Sequence, residues 1–272
     1  MNTQPRMLVV DLDGTALRDD WTVAPEDIEA AAALREAGVV LTIATGRLFT
    51  GALHAASELG ITGSVAVVNG SELVDVSTGR ANHGHYLPAH AQTHVRDVLA
   101  HHGVPTFLYH SRRIHYPRSE SHLARYLSTW SPHIHAHDDV HDAPDWHGDD
   151  IVAVCAAGPS AAVDAAKLAF DLPDDLQAER FETWQGDAFL KIRSSVEDKG
   201  TAVVRMAAEH GLTAADVVVV GDWINDVPMF RVAGYSFAMN GSHVGDEADG
   251  VLDARRGHGG AIAELARRFW GL

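Results

Sequence analysis

A chain of 272 residues with 46% apolar side chains is long enough for one large or two medium domains with sizeable cores. Its formal charge of −16 is spread along the sequence and disfavours nucleic acid and anionic membrane as partners. No stretch approaches the roughly eighteen apolar residues of a membrane span, no basic run precedes an apolar segment at the N-terminus, and Cys155 is the single cysteine, so an intrachain disulfide is excluded and a cytoplasmic location is expected.

Met7 to Thr15 reads MLVVDLDGT. Four apolar residues predict a short buried strand, and side chains two apart share a face, so Asp11 and Asp13 project together past its end. Two ionised carboxylates ~4 Å apart repel by about 4 kcal/mol at an effective dielectric of ~20. A divalent cation or a shared proton would compensate that repulsion; the alternative is one Asp capping a turn and the other solvated. Pro25 to Ala37 predicts a helix closed by Gly38. Val39 to Ala44 predicts a second strand ending in Thr45-Gly46-Arg47, a helix follows through Leu48 to Leu59, and SVAVVNG predicts a third strand ending at Asn69-Gly70. Strands that alternate with helices, each a continuous apolar run, imply an α/β doubly wound parallel sheet. In such sheets ligands sit outside the carboxyl ends of the strands, where DLDGT, TGR and NG all fall.

From about Ala81 the pattern becomes mixed α and β, and fourteen of the eighteen histidines lie between His83 and His147. Helices are predicted at Ala89 to His101, Ser119 to Thr129 and Ala161 to Phe170, with strands at Thr106 to Tyr109, Ile114 to Tyr116 and DIVAVCAA, and a strand pair at AERFETW and FLKIR. Cys155, inside that apolar run, reads as a buried structural thiol. Alternation resumes with a helix from Lys199 to His210, the strand VVVVGD, a short helix at Asn225 to Val232, the strand YSFAM and a terminal helix at Ala261 to Phe269. The expected organisation is one sheet domain from residues 1–82 and 188–272, interrupted by an inserted α+β domain at 83–187.

Four signals, DLDGT, ATGR, EDKG and GDWIND, stand in order along the chain. With them the sequence resembles the haloacid dehalogenase-like superfamily, in particular its Cof-type sugar-phosphatase branch, whose large cap is inserted after the third strand of a Rossmann-like core. The resemblance implies a Mg²⁺-dependent phosphatase acting on a small phosphorylated metabolite, such as a sugar phosphate, through an aspartyl-phosphate. It assigns Asp11 as nucleophile and metal ligand, Asp13 as acid–base with its carbonyl on the metal, and Asp222 as a further metal ligand. Thr45, Lys199, Asn225 and the N–H groups of Leu12 and Gly46 would hold the phosphoryl oxygens. Asp226 would orient metal waters or Lys199, and Arg47 and Asn69 would lie toward substrate. A lysine at a helix start is electrostatically unfavourable without an anion beside it, which agrees with that role for Lys199. Trp223 stands where the family has a small or polar residue, and Asn240-Gly241 inverts the usual Gly-Asn order. The remaining readings are a phosphotransferase or phosphomutase of the same fold, or a phosphate-ligand-binding protein without turnover; a monomer or homodimer fits equally.

The segment PHIHAHDDVHD places His133, His135 and His137 on one strand face, and is expected as a solvated loop or edge strand with adventitious transition-metal affinity. His110, Arg112, Arg113, His115 and Arg118 are expected on a solvated hairpin.

Overall fold

Met7–Val10 and Val217–Gly221 pair in parallel, Met7 opposite Val217 and Val10 opposite Val220. Met7 to Val10 and Val217 to Val220 are all completely buried. A parallel strand is covered on both faces and so needs an unbroken apolar sequence, with each buried Val or Leu contributing about 1.5–3 kcal/mol relative to exposure. Val40–Ile43 joins Met7–Val10 on its free side, and Tyr235–Asn240 then Gly250–Arg255 follow Val217–Gly221, giving five strands, all parallel. The computed structural model describes residues 4–182 and 188–272. It divides into one unit of Met1–Gly46, Ala52–His83 and Glu197–Leu272, and a second of Arg47–Gly51 and Gly84–Val196. None of the described helices is long and apolar enough to cross a membrane.

In the first unit, Met7, Val9, Val217 and Val219 pack against Ala202, Val203, Met206 and Ala207 of helix Lys199–Glu209; strand alternation turns Leu8, Val10, Val218 and Val220 to the opposite face. The helix begins at a reciprocal cap, in which the Thr201 N–H donates to the Asp198 carboxylate at 2.8 Å and the Asp198 N–H donates to the Thr201 hydroxyl at 2.9 Å. Helices Pro25–Glu36 and Ala261–Trp270 pack on each other. The buried Asp27 carboxylate between them accepts from the N–H groups of Gly260 (2.7 Å) and Ala263 (2.9 Å), donors that a helix start leaves without partners.

The expected third strand is present at Ser64–Val67, but it joins the large sheet only loosely, through one parallel bridge from Ala44 to Ala66 and a bond from the Thr42 hydroxyl to Ser64 O at 2.6 Å, and its full pairing is antiparallel, with Glu72–Asp75. The cause is local: Val68 (φ 51°) and Asn69 (φ 56°) are left-handed, Gly70 (φ 93°) follows, and the chain doubles back. A β-branched residue at positive φ is a rare strained conformation.

The second unit is an α+β sandwich whose six-stranded sheet runs Leu176–Glu182, Ala188–Ser194, Ile151–Gly158, Thr106–His110, Ile114–Pro117, Ile134–His137. Neighbours are antiparallel except the last pair. Leu87, Val95, Leu99, Trp146, Val154 and Val163 share its core, and burial pushes the Cys155 thiol up to about 12. Three expectations are corrected here. The unit ends at 196 rather than 187, because Ala188–Ser194 pairs with strands on both sides; Thr183 and Trp184 of the expected strand pair lie outside the described residues. The helix expected from Ser119 starts as a tighter 3-10 turn at Arg118–Leu123, kinked at Glu120, and becomes α-helical only over Ala124–Trp130. His110 (0% exposed) and His115 (4%) are buried, not solvated.

Replacing Asp27 by Ala removes the acceptor for two N–H groups. Urea unfolding of the first unit, followed by hydrogen exchange in helix Ala261–Trp270, is expected to show a loss of about 1–3 kcal/mol; an unchanged midpoint would contradict the capping role.

Candidate active site

The carboxyl ends of the parallel strands converge on Lys199. Backbone bonds hold those ends together: the Asp11 N–H donates to Val220 O, Ala44 N–H to Val10 O, Thr45 N–H to Ala66 O, and Asn69 N–H to Thr45 O, at 2.8–3.0 Å. Lys199 opens its helix fully buried, and its Nζ donates to Asp11 Oδ1 and to Asp226 Oδ1, each at 2.6 Å. Asp226 Oδ2 in turn accepts from the N–H groups of Asp222 (2.8 Å) and Trp223 (3.0 Å). Asp226 is therefore held from both of its oxygens, one by an ammonium and one by the loop that carries Asp222.

Two glycines permit this crowding. A Cβ on Gly221 would lie 2.3 Å from the Asp226 carboxyl carbon, and one on Gly14 (φ 81°) 2.5 Å from Asp222 Oδ2. Both are sites where backbone must approach a carboxylate closely. Asp222, 1% exposed, is also bonded by the Arg256 guanidinium, whose loop is tied back by Gly257 N–H to Gly14 O at 2.9 Å.

Burial raises the Asp11 pKa well above the ordinary carboxylate range; Lys199 opposes that rise, while Asp226, Asp222 and Asp13 add to it. Burial, then Asp226, raises Asp222 against the pull of Arg256. For Lys199 burial acts downward, but Asp11 and Asp226 outweigh it and hold the ammonium above its usual pKa. The pocket thus concentrates more negative charge than its cations neutralise. One oxygen from each of Asp11, Asp222 and Asp226 lies within 4.8 Å of the others. An all-carboxylate donor set suits a hard divalent ion such as Mg²⁺, not a soft one.

Around this centre lie the other residues singled out from sequence. Thr45 is buried, and Asn225 Nδ2 donates to Asn69 Oδ1 at 2.9 Å. A Cβ on Gly46 would meet that Asn69 oxygen at 3.2 Å, so the Gly46 backbone lies against the Asn69–Asn225 pair. Leu12 is buried, and its carbonyl accepts from Thr15 and Leu17 N–H, while Asp13 is partly exposed and bridges to Leu17. Trp223 is 47% exposed; its ring meets His243 edge-on at 5.6 Å and carries the Arg256 guanidinium 5.7 Å from its centroid. Arg47 falls in the second unit, where its guanidinium donates to Gly51 O at 3.3 Å. Sequence reasoning missed Arg256. Its strand, Gly250–Arg255, went unrecognised, although its alternating GVLDA and the rule that ligands gather at carboxyl strand ends together point to it.

A parallel-sheet core with an inserted α+β cap and acids at its strand ends defines a class of hydrolase. A sequence profile described as haloacid dehalogenase-like hydrolase matches residues 8–253, and the chain belongs to that family. It is 26% identical to pyridoxal phosphate phosphatase YbhA of Escherichia coli over 92% of this chain and 91% of that one. It is 25% identical to the HMP-PP phosphatase of Serratia proteamaculans over 86% and 83%. Its fold matches a haloacid dehalogenase-like hydrolase from Bacteroides thetaiotaomicron at TM-score 0.82 and 20% identity, covering 98% and 100% of the two chains. It also matches a HAD subclass IIB sugar phosphatase at TM-score 0.78 and 16% identity, covering 97% and 98%. The protein is a phosphoric monoester hydrolase of this family.

Lys199→Met leaves Asp11 and Asp226 buried without their cation. In EDTA, exchange of the Met7–Val10 and Val217–Val220 amides is expected to show about 3–5 kcal/mol lower stability; a neutral effect would contradict the pairing.

Proposed function

We propose that this phosphatase hydrolyses a small phosphorylated metabolite in a Mg²⁺-dependent reaction through an aspartyl-phosphate on Asp11. The observation that carries the reading is the buried Lys199 ammonium, 2.6 Å from Asp11 and from Asp226, next to Asp222. Phosphate monoester hydrolysis is among the slowest uncatalysed reactions, with enzymatic accelerations up to about 10²¹, and an anionic nucleophile reaches the dianionic ester only where positive charge is already in place.

In this reading an Asp11 oxygen attacks phosphorus and the bond from phosphorus to the ester oxygen breaks. Asp13 gives its proton to the departing alkoxide, then takes one from the water that attacks the acyl phosphate and releases phosphate and free Asp11. Lys199 fixes the attacking carboxylate and faces the phosphoryl charge. The Thr45 hydroxyl, the N–H groups of Leu12 and Gly46, and the Asn225 amide supply neutral donors to the equatorial oxygens. Asp226, held by Lys199 and the 222–223 backbone, positions both. Asp11, Asp222 and the Asp13 carbonyl would hold Mg²⁺, which would supply charge neutralisation for the phosphoryl oxygens. The residues fit it, since Lys199 takes only Oδ1 of Asp11 and Arg256 only Oδ2 of Asp222, while Asp226, engaged at both oxygens, stays outside the donor set.

The test is phosphate release from a panel that includes pyridoxal phosphate, HMP-PP and sugar phosphates. Release is expected to vanish in EDTA and in Asp11→Asn, and to fall about 10²- to 10⁴-fold in Asp13→Asn; release that survives all three would refute the reading. In labelled water, each phosphate formed is expected to carry one solvent oxygen, whereas transfer to a second alcohol would leave none.

Because Asp11 and Asp222 sit above the ordinary carboxylate pKa of about 3.9, binding the ion expels protons. Calorimetry in two buffers is expected to show Mg²⁺ affinity weakening as pH falls, starting at higher pH than for exposed carboxylates; a pH-independent affinity would oppose it.

A further inference from the structure

The second unit holds a group of side chains that the phosphatase chemistry does not use. His110 ends strand Thr106–His110, His115 lies in Ile114–Pro117, His137 ends Ile134–His137, and Asp145 sits in the turn Pro144–His147. His110 is completely buried and His115 is 4% exposed, with ring centroids 5.2 Å apart. One donor atom from each of His110, His115 and Asp145 falls within 4.8 Å of the others. His115 Nδ1 is 3.6 Å from Asp145 Oδ2 and 2.7 Å from His137 Nε2.

The ring of His110 supplies an independent observation. Its Nδ1 is bonded to Asp150 Oδ1 at 2.5 Å, which fixes the proton there and leaves Nε2 with a bare lone pair. That nitrogen is buried and has no hydrogen-bond partner. Buried polar atoms are nearly always paired. An imidazole whose far nitrogen is anchored by a carboxylate, with the near one left bare, is the arrangement that orients metal-binding histidines.

We propose that His110 Nε2, His115 Nδ1 and the Asp145 carboxylate, with His137 Nε2 in reach as a fourth ligand, form a structural site for a divalent transition ion of the Zn²⁺ type. Two or three imidazoles and one carboxylate are ligands that Zn²⁺ takes in tetrahedral geometry, and they are softer than the all-oxygen set around Asp11. The exposed His133 and His135 are not in the group. The ion would brace three strands and the 144–147 turn at one edge of the sheet.

Arg113 is the competitor. Its Nη2 is 3.3 Å from Asp145 Oδ1, its Nη1 3.7 Å from Asp150 Oδ2, and its Nε donates to His115 Nε2 at 3.0 Å. Metal at His115 Nδ1 shifts that ring's proton to Nε2, so Arg113 loses its acceptor there. Being 35% exposed, the guanidinium can swing toward solvent.

The test titrates the chelator-stripped full chain with Zn²⁺ against a chromophoric competitor, in saturating Mg²⁺, and repeats it with Co²⁺ to read coordination from its visible spectrum. One ion per chain and a tetrahedral Co²⁺ spectrum are expected. The site should be lost in His115→Ala, weakened about 10- to 100-fold in Asp150→Asn, and tightened in Arg113→Gln, a variant that leaves every ligand in place and guards against misfolding of the others. No stoichiometric binding, an octahedral spectrum, or affinity unchanged across the three variants would overturn the proposal. Phosphate release is not the readout, so the outcome is independent of the chemistry at Asp11.

Discussion

The fully buried Lys199 ammonium, gripped by Asp11 on one side and Asp226 on the other, is the constraint on which the first unit depends. Removing a lysine from water is expensive, and two carboxylates at 2.6 Å offset it only if the backbone delivers them there. Asp11 comes from the end of Met7–Val10 and Asp226 from the turn after Val217–Gly221, and these strands are adjacent and in register. The apolar strands are thus the means by which three distant acids and one lysine are held together.

That arrangement is unbalanced by design of its backbone. Gly14 and Gly221 let main chain press against Asp222 and Asp226, closer than any side chain would allow. The left-handed Val68 and Asn69 carry the chain away from the sheet and leave Asn69 bonded to Asn225. Local strain of this kind persists only where surrounding packing over-determines it. The acids stay crowded, and burial holds the carboxyls of Asp11 and Asp222 above the ordinary carboxylate pKa range.

Much of this was legible in the sequence because parallel strands announce themselves as apolar runs with polar ends. DLDGT, Thr45-Gly46 and GDWIND each sit where such a run stops, Lys199 opens the first helix after the inserted segment, and the structure brings Asp11, Lys199, Asp222 and Asp226 into one cluster. What escaped has physical reasons. Arg256 follows Gly250–Arg255, whose alternate residues Val251, Asp253 and Arg255 are exposed, so the strand alternates and lacks the unbroken apolar run that marks the buried ones. Ser64–Val67 looks like its neighbours, and only a turn with positive φ at a valine diverts it. The burial of His110 and His115 depends on what the 134–150 segment lays over them, which local spacing does not encode; a solvated hairpin and a buried imidazole pair read alike.

If Asp11 is the atom source that attacks phosphorus, rapid quenching of the enzyme with a phosphorylated substrate under single-turnover conditions should catch the acyl phosphate. Borohydride reduces such a group and leaves homoserine in place of the aspartate, which peptide mass spectrometry locates. The account predicts homoserine at position 11 alone, dependent on substrate and Mg²⁺. An unmodified Asp11 during active turnover, or a phosphoryl group recovered on another side chain, would contradict it.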